Sequence, residues 1–299
     1  LNDIRLSEKI GLDAQVGLNS NYLSGKSNYS ASGNQIVFGY LNPENFLTTE
    51  ADYGEYAQNL AGAFGQFTFS LDNYLYASVS GRNDWGSTVE EEHRSLFYPG
   101  ASLAFIPTSA FDIKSDAMSY LKLRAAYGTS SGFPGRYSTR GVLDIDARRF
   151  VTNDGRVLVT KSTNSLYPNP DLSPELHKEI EFGVEGRFWK NRINLEASIY
   201  KRISEDQIFS AETAPSIGYE TERINVGRID TRGLEIELGI DLVKNSEVNW
   251  NMRNLFTTYE TEVIDLPVAQ FYLGSDRYAI EGQPLGVLQG SWALRDDEG

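Results

Sequence analysis

Between positions 180 and 202 the chain reads IEFGVEGRFWKNRINLEASIYKR, with an apolar or small residue at every second place. Ile180, Phe182, Val184, Gly186 and Phe188 alternate with Glu179, Glu181, Glu185 and Arg187 around them. Past Trp189-Lys190-Asn191 the alternation resumes, with Ile193, Leu195, Ala197 and Ile199 set against Arg192, Asn194, Glu196 and Ser198. Successive side chains of a strand point to opposite faces, so this period predicts a hairpin with one apolar and one charged face. The pattern recurs. Phe67, Phe69 and Leu71 alternate with Gln66, Thr68 and Ser70, turn at Asp72-Asn73, and continue as Leu75, Ala77 and Val79 against Tyr76, Ser78, Ser80 and Arg82. Leu121, Leu123, Ala125 and Tyr127 alternate with Lys122, Arg124 and Ala126. Leu234 to Leu242 alternates with Glu235, Glu237, Gly239 and Asp241, then turns through Lys244-Asn245-Ser246 into Val248, Trp250 and Met252. Weaker strand candidates lie at 5–20, 95–107 and 277–290. With about ten strands and no amphipathic helical period, the fold class is all-β and antiparallel.

The connections fall into two lengths. Turns at 72–73, 190–191 and 244–246 are tight, each with an aromatic residue close by: Tyr74, Trp189 and Trp250. The alternate connections, at 21–58, 85–94, 129–175, 204–222 and 258–276, are long, and the third holds its own small hairpin around Asp154-Gly155. Short turns at one end and long loops at the other are the plan of a bacterial outer-membrane barrel, with periplasmic turns and extracellular loops. On that plan the apolar faces meet lipid and the Glu, Arg, Lys and Asn positions line a wet lumen.

Composition agrees with a barrel without requiring one. No run of 18 apolar residues exists among the 299, so no membrane helix is expected. Barrel strands of about 9–11 residues escape that test because only half of each is apolar. Aromatic content of 12 %, with 17 Tyr and 15 Phe, could supply interfacial girdles or the core of a soluble β protein. The absence of cysteine excludes disulfides and thiolate-ligated zinc. A formal charge of −14 argues against a nucleic-acid partner. The chain starts without Met and runs to Asp-Asp-Glu-Gly, which reads as an internal piece of a longer polypeptide.

Catalytic chemistry finds little support. The two histidines, His93 and His177, lie far apart and neither belongs to an HExxH motif, so no metal site and no Ser-His-Asp triad is expected. Gly25-Lys26-Ser27 ends like a phosphate-binding loop, but Ser20 stands where the first glycine belongs and no helix follows. Glu90-Glu91-Glu92 and Asp296-Asp297-Glu298 read as solvated acidic loops before calcium sites. Glu235 and Glu237 could suggest a glycosidase pair, yet on one strand face they are polar lining. No cofactor and no enzymatic activity are expected.

Several segments carry a family resemblance in a fixed order. GRNDWGSTVEEEHRSLFYPGASLAF and YLKLRAAYGTSSG hold an Arg-x-Asp pair (Arg82, Asp84), a Tyr98-Pro99-Gly100 strand opening, and Leu121-Lys122-Leu123-Arg124. YPNPDLSPELHKEIEF supplies Asn169, Pro170, Leu172 and Glu175, an NP-x-L-x-x-E pattern. INVGRIDTRGLEIEL supplies an N-x-G followed by a GLE strand, with the WNMRN strand and GQPLGVLQG after it. This ordered set resembles the barrel of SusC/RagA-type TonB-linked outer-membrane transporters, although Tyr-Pro-Gly stands where that family has Phe-Pro-Ser.

The resemblance implies a 22-stranded plugged barrel, of which this chain is one part. The plug, the TonB-contacting segment and the remaining strands lie elsewhere. It implies TonB-driven import of oligosaccharides or oligopeptides beneath a SusD-like surface lipoprotein lid. The alternatives are a lone TonB-dependent receptor for a siderophore or cobalamin-like chelate, and a passive porin-like barrel. Candidate substrate contacts are Trp85, Tyr137 and Tyr167, whose flat faces suit sugars or peptide side chains, and Arg82, Asp84, Arg124 and Arg136, which suit hydroxyls and carboxylates.

Overall fold

The computed structural model describes residues 4–291, with backbone alone at 144 and 146–151; the acidic run at 296–298 lies outside it. In chain order the strands are β1 (Ile4–Arg5), β2 (Ile10–Gln35), β3 (Phe46–Leu71), β4 (Leu75–Gly86), β5 (Ser95–Phe105) and β6 (Met118–Gly132). Then come β7 (Leu143–Val151), β8 (Val157–Thr163), β9 (Leu166–Tyr167), β10 (Glu175–Phe188), β11 (Ile193–Glu205) and β12 (Ile208–Glu212). The series ends with β13 (Thr221–Asn225), β14 (Arg228–Lys244), β15 (Asn249–Asp265), β16 (Gln270–Gly274), β17 (Arg277–Ile280) and β18 (Val287–Leu288). Ten of them form one open antiparallel sheet in the order β1-β2-β3-β4-β5-β6-β10-β11-β14-β15. Only neighbours in sequence pair within it once the loop strands are set aside. It is a meander, open at β1 and β15.

Register assigns every side chain to a face, because residues opposite each other in an antiparallel pair point the same way. Phe182 opposes Ile199 on one side and Ala125 on the other, and Ile199 opposes Leu234. Phe67 opposes Val79, and Val79 opposes Ala101. These apolar rows form one continuous outer surface, and it is bare: Phe182 is 50 % exposed, Ile199 56 % and Val79 50 %. A soluble sheet would bury such a face under a second layer. Among the described residues the buried apolar ones are Val89, Leu172, Ile229, Val263, Leu266, Phe271 and Ala279, all in the loops or at the loop-side strand ends. The sheet has no core of its own, which is what a lipid-facing barrel wall requires.

The tight turns sit together at one end. Asp72 carries φ +45°, and Trp189, Lys190 and Asn191 lie consecutively in the left-handed region at +49°, +56° and +62°. Three non-glycine residues in that region are costly, and a hairpin turn is where such strain is tolerated. The β5–β6 connection at this end is longer, with a single helical turn over Pro107–Ala110. Two sequence expectations change. The 21–58 segment is a hairpin stem, because β2 and β3 run 26 residues each. The 277–290 candidate joins a small loop sheet of β16, β17 and β18 rather than the wall.

Candidate functional site

The inward face is largely polar, and many of its charges are paired across strands. On β4, Arg82 and Asp84 point inward opposite Tyr98 and Leu96 of β5. Arg82 donates from Nε to the Tyr98 hydroxyl at 3.0 Å and from Nη2 to Asn19 Oδ1 at 2.7 Å. The Tyr98 hydroxyl donates to Asp84 Oδ2, while Arg82 Nη2 approaches Asp84 Oδ1 at 2.7 Å. That last contact is an ion pair off the hydrogen-bond direction, since Asp84 Oδ1 has no hydrogen-bond donor. Gly62 makes the cluster possible: a Cβ there would sit 2.2 Å from Asp84 Oδ1 and 2.5 Å from Arg82 Nη2.

Arg124 of β6 heads a second cluster, reaching Glu181 of β10 at 3.1 Å and Glu196 of β11 at 2.6 Å. Gly183 again clears the space, for a Cβ there would lie 2.3 Å from Arg124 Nε. Glu179 pairs with Arg202 at 2.7 Å, and Lys122 with Glu185 at 3.6 Å. Glu237 pairs with Arg253 at 2.6 Å, which makes it lining rather than half of a carboxylate pair. Between the first two clusters lies a concavity of about 920 Å³, bordered by Arg82, Tyr98, His177, Glu179, Glu181 and Arg202. Among the described residues no group of three or more His, Asp or Glu is placed to hold a metal. His177 is engaged instead by Ser204, at 2.9 Å between Nδ1 and Oγ.

Above the sheet the loops are knit into a platform. Asn225 clasps the segment before β10: its Oδ1 accepts from Ser173 N at 2.7 Å, and its Nδ2 donates to the carbonyls of Ser173 and Asp206, both at 2.8 Å. Asn169 Nδ2 donates to the Arg223 carbonyl at 2.8 Å, Leu172 is fully buried, and Glu175 Oε1 accepts from Ile208 N at 2.7 Å. Gly227, at φ +79°, passes the Asp265 carbonyl so closely that a Cβ would lie 2.8 Å from it. The NP-x-L-x-x-E and N-x-G motifs are thus the two halves of one clasp between the loops at 133–174 and 206–227.

Nearby, Arg140 donates to both oxygens of Glu90, at 2.8 and 2.7 Å. Those bonds, with help from Thr139, hold the Glu90 carboxyl at about 2, far below its usual range. A depressed carboxylate pKa stabilises the fold above the unfolded value and loses that contribution as pH falls through the folded one. Acidification from about pH 4.5 to about 2 should therefore release 87–94 from 133–142, read as loss of amide protection there. Glu90→Gln should remove that pH dependence.

The candidate contacts do not converge. Arg82 and Asp84 share one cluster, and Arg124 belongs to the other. Arg136 folds onto the loop-side end of β3, its guanidinium 3.8 Å over the Tyr56 ring, and the Tyr137 hydroxyl accepts from Ala57 N at 3.4 Å. Tyr167 packs edge-on against Tyr219 at 5.1 Å within the loop sheet of β9, β12 and β13. Trp85 stands on the outer face, opposite Ala61 and Ser95, because its inward neighbour Asp84 fixes the parity. With Phe97, on the same face, it forms an exposed aromatic pair of the kind found in interfacial girdles. Asn19 and the two space-making glycines carry no signal in the sequence; Tyr98 stands there only as part of a strand opening, and its role follows from its place opposite Arg82.

A bare apolar wall, an ion-paired inner face and clasped loops at one end define a segment of an outer-membrane β-barrel. The chain belongs to the family described as TonB dependent receptor-like, beta-barrel, which matches residues 2–291. Among curated relatives, TonB-dependent receptor P26 of Formosa agariphila is 24 % identical over 229 residues, covering 76 % of this chain and 22 % of that protein. TonB-dependent receptor P3 of the same organism is 22 % identical over 282 residues, covering 84 % of this chain and 27 % of its own length. The RagAB peptide importer in its open-open state shares the fold at a TM-score of 0.79 and 20 % identity, over 94 % of this chain and 31 % of that one. YddB, an outer-membrane transporter of Escherichia coli, aligns at 0.60 and 11 % identity, over 95 % and 36 %. The chain spans about a quarter of the first of these relatives and about a third of the solved barrels. The SusC/RagA-type resemblance holds, the protein is a bacterial outer-membrane one, and its family is one of receptors and transporters rather than enzymes.

Proposed function

We propose that these residues form part of the single barrel domain of a TonB-driven importer of oligopeptides or oligosaccharides, working beneath a SusD-like surface lipoprotein. The observation that carries this reading is the inward concavity of about 920 Å³, lined by paired charges of both signs and placed under the clasped loop platform. A lumen bearing Arg82, Arg202, Glu179 and Glu181 offers partners for both peptide termini and for sugar hydroxyls. The kinship in fold to a peptide importer adds support for peptides. The rest of the wall, the plug and the TonB-contacting segment belong to the remainder of the protein on this reading.

Energy dependence tests it. In cells expressing the full-length protein, uptake of a labelled oligopeptide or oligosaccharide pool should stop when TonB is deleted. Uptake at full rate without TonB would make the barrel a passive porin. Uptake of iron chelates or cobalamin alone, with no lipoprotein accompanying the protein in mild detergent, would make it a lone receptor.

A further inference from the structure

The β2–β3 hairpin ends in an apolar knob. Val37 is 58 % exposed, Phe38 98 % and Leu41 86 %, with Ile36, Tyr40 and Leu47 also open to solvent. The knob has a built shape. Asn45, itself buried, accepts from Val37 N at 2.8 Å and donates to the carbonyls of Val37 and Tyr40, both at 2.7 Å. Gly39, at φ +83°, lets the chain turn so that Phe38 stands at the apex.

Three observations bear on what could cover it. First, lipid is out of reach: the outward aromatic level is marked by Tyr22 and Trp85, and the 13 residues from Leu23 to Gln35 carry the stem roughly 40 Å further. Second, the neighbouring segments meet the stem well below its tip. β4 pairs with β3 only from Leu60 down, and the 133–142 segment touches β3 at Tyr56 and Ala57, about ten residues short of the tip. Third, the hairpin between Asn19 and Leu60 carries Glu44, Glu50, Asp52 and Glu55 against one cation, Lys26, which is taken by Glu55 at 3.5 Å. An acidic stem under an apolar tip repels an anionic saccharide-phosphate surface. The same charge disfavours pairing with the acidic stem of a second copy.

We propose that this knob is a docking surface for the lid lipoprotein, seated in an apolar pocket with a basic rim on that partner. The inference rests on the importer reading above. An exposed aromatic anchor held rigid before binding is the kind of residue that dominates such interfaces.

The test uses the full-length transporter with a photoreactive benzophenone amino acid installed at position 38. Irradiation of whole cells should join the transporter to its lipoprotein. Phe38→Ser combined with Leu41→Ser should cut the lipoprotein recovered in mild detergent by about tenfold or more. The barrel itself should keep its resistance to unfolding in detergent, since neither side chain is packed. A crosslink within the same chain, to a second copy or to lipopolysaccharide would overturn the assignment, as would undiminished recovery of lipoprotein from the double variant. If no lipoprotein accompanies even the unsubstituted protein, the importer reading falls first and the docking surface falls with it.

Discussion

Leu238→Arg is expected to cost about 2–4 kcal/mol of barrel stability, the penalty for an arginine at the lipid midplane. Leu238 lies in the middle of β14, on the outer face, opposite Leu195 and Asn254. Outward rows both above it, through Ile236 and Ala197, and below it, through Ile240 and Ile193, are apolar or small, so an arginine head there has no short path to water. The matched control is Thr257→Arg, which places the same side chain on the inner face opposite Glu235. That face is wet and acidic, and the change should fall within about 0.5 kcal/mol. Unfolding of both full-length variants from lipid vesicles gives the comparison. Equal losses would mean that the faces have been assigned the wrong solvents.

Asn225→Ala should have the second largest effect, confined to the loops. The substitution leaves Ser173 N and the carbonyls of Ser173 and Asp206 without their partner. Stranding a partly buried backbone group costs about 1–3 kcal/mol, so the clasp should open locally while the wall, which owes nothing to it, stays intact. Hydrogen exchange should show 166–175 and 206–227 losing protection together, with β10, β11 and β14 unchanged along their lengths. Asn225→Asp, which keeps the acceptor for Ser173 N, should lose less. Unchanged exchange in Asn225→Ala would show that the two motifs do not hold the loops.

The wall was legible in the sequence because lipid on one side and water on the other impose a strict period of two. Wherever one face is apolar, as in 180–199 or 234–242, the alternation fixes both the strand and the side chains that line the lumen. The stem of β2 was not legible for the same reason inverted. From Leu23 to Gln35 nearly every residue is small or polar on both faces, so no contrast reveals the period, and a hairpin reads as loop. Trp85 is a different case: its chemistry suits a sugar platform, while its parity with Val79 places it on the outer face. The clasp could be recognised as a motif without its meaning, because Asn169 and Asn225 are 56 positions apart and only the fold brings their partners together. The space-making role of Gly62 and Gly183 belongs to cross-strand neighbours and cannot be read along one strand.

The proposed lid contact and the proposed TonB-driven import both depend on which end of the barrel faces the cell exterior, so sidedness is the decisive measurement. The 299 residues contain no cysteine, so single cysteines placed at Ser210 and at Asn191 report without background from this segment. A membrane-impermeant maleimide added to intact cells should label Ser210→Cys fully and leave Asn191→Cys untouched until the outer membrane is permeabilised. Labelling of Asn191→Cys in intact cells, with Ser210→Cys protected, would contradict the barrel's orientation and everything built on it.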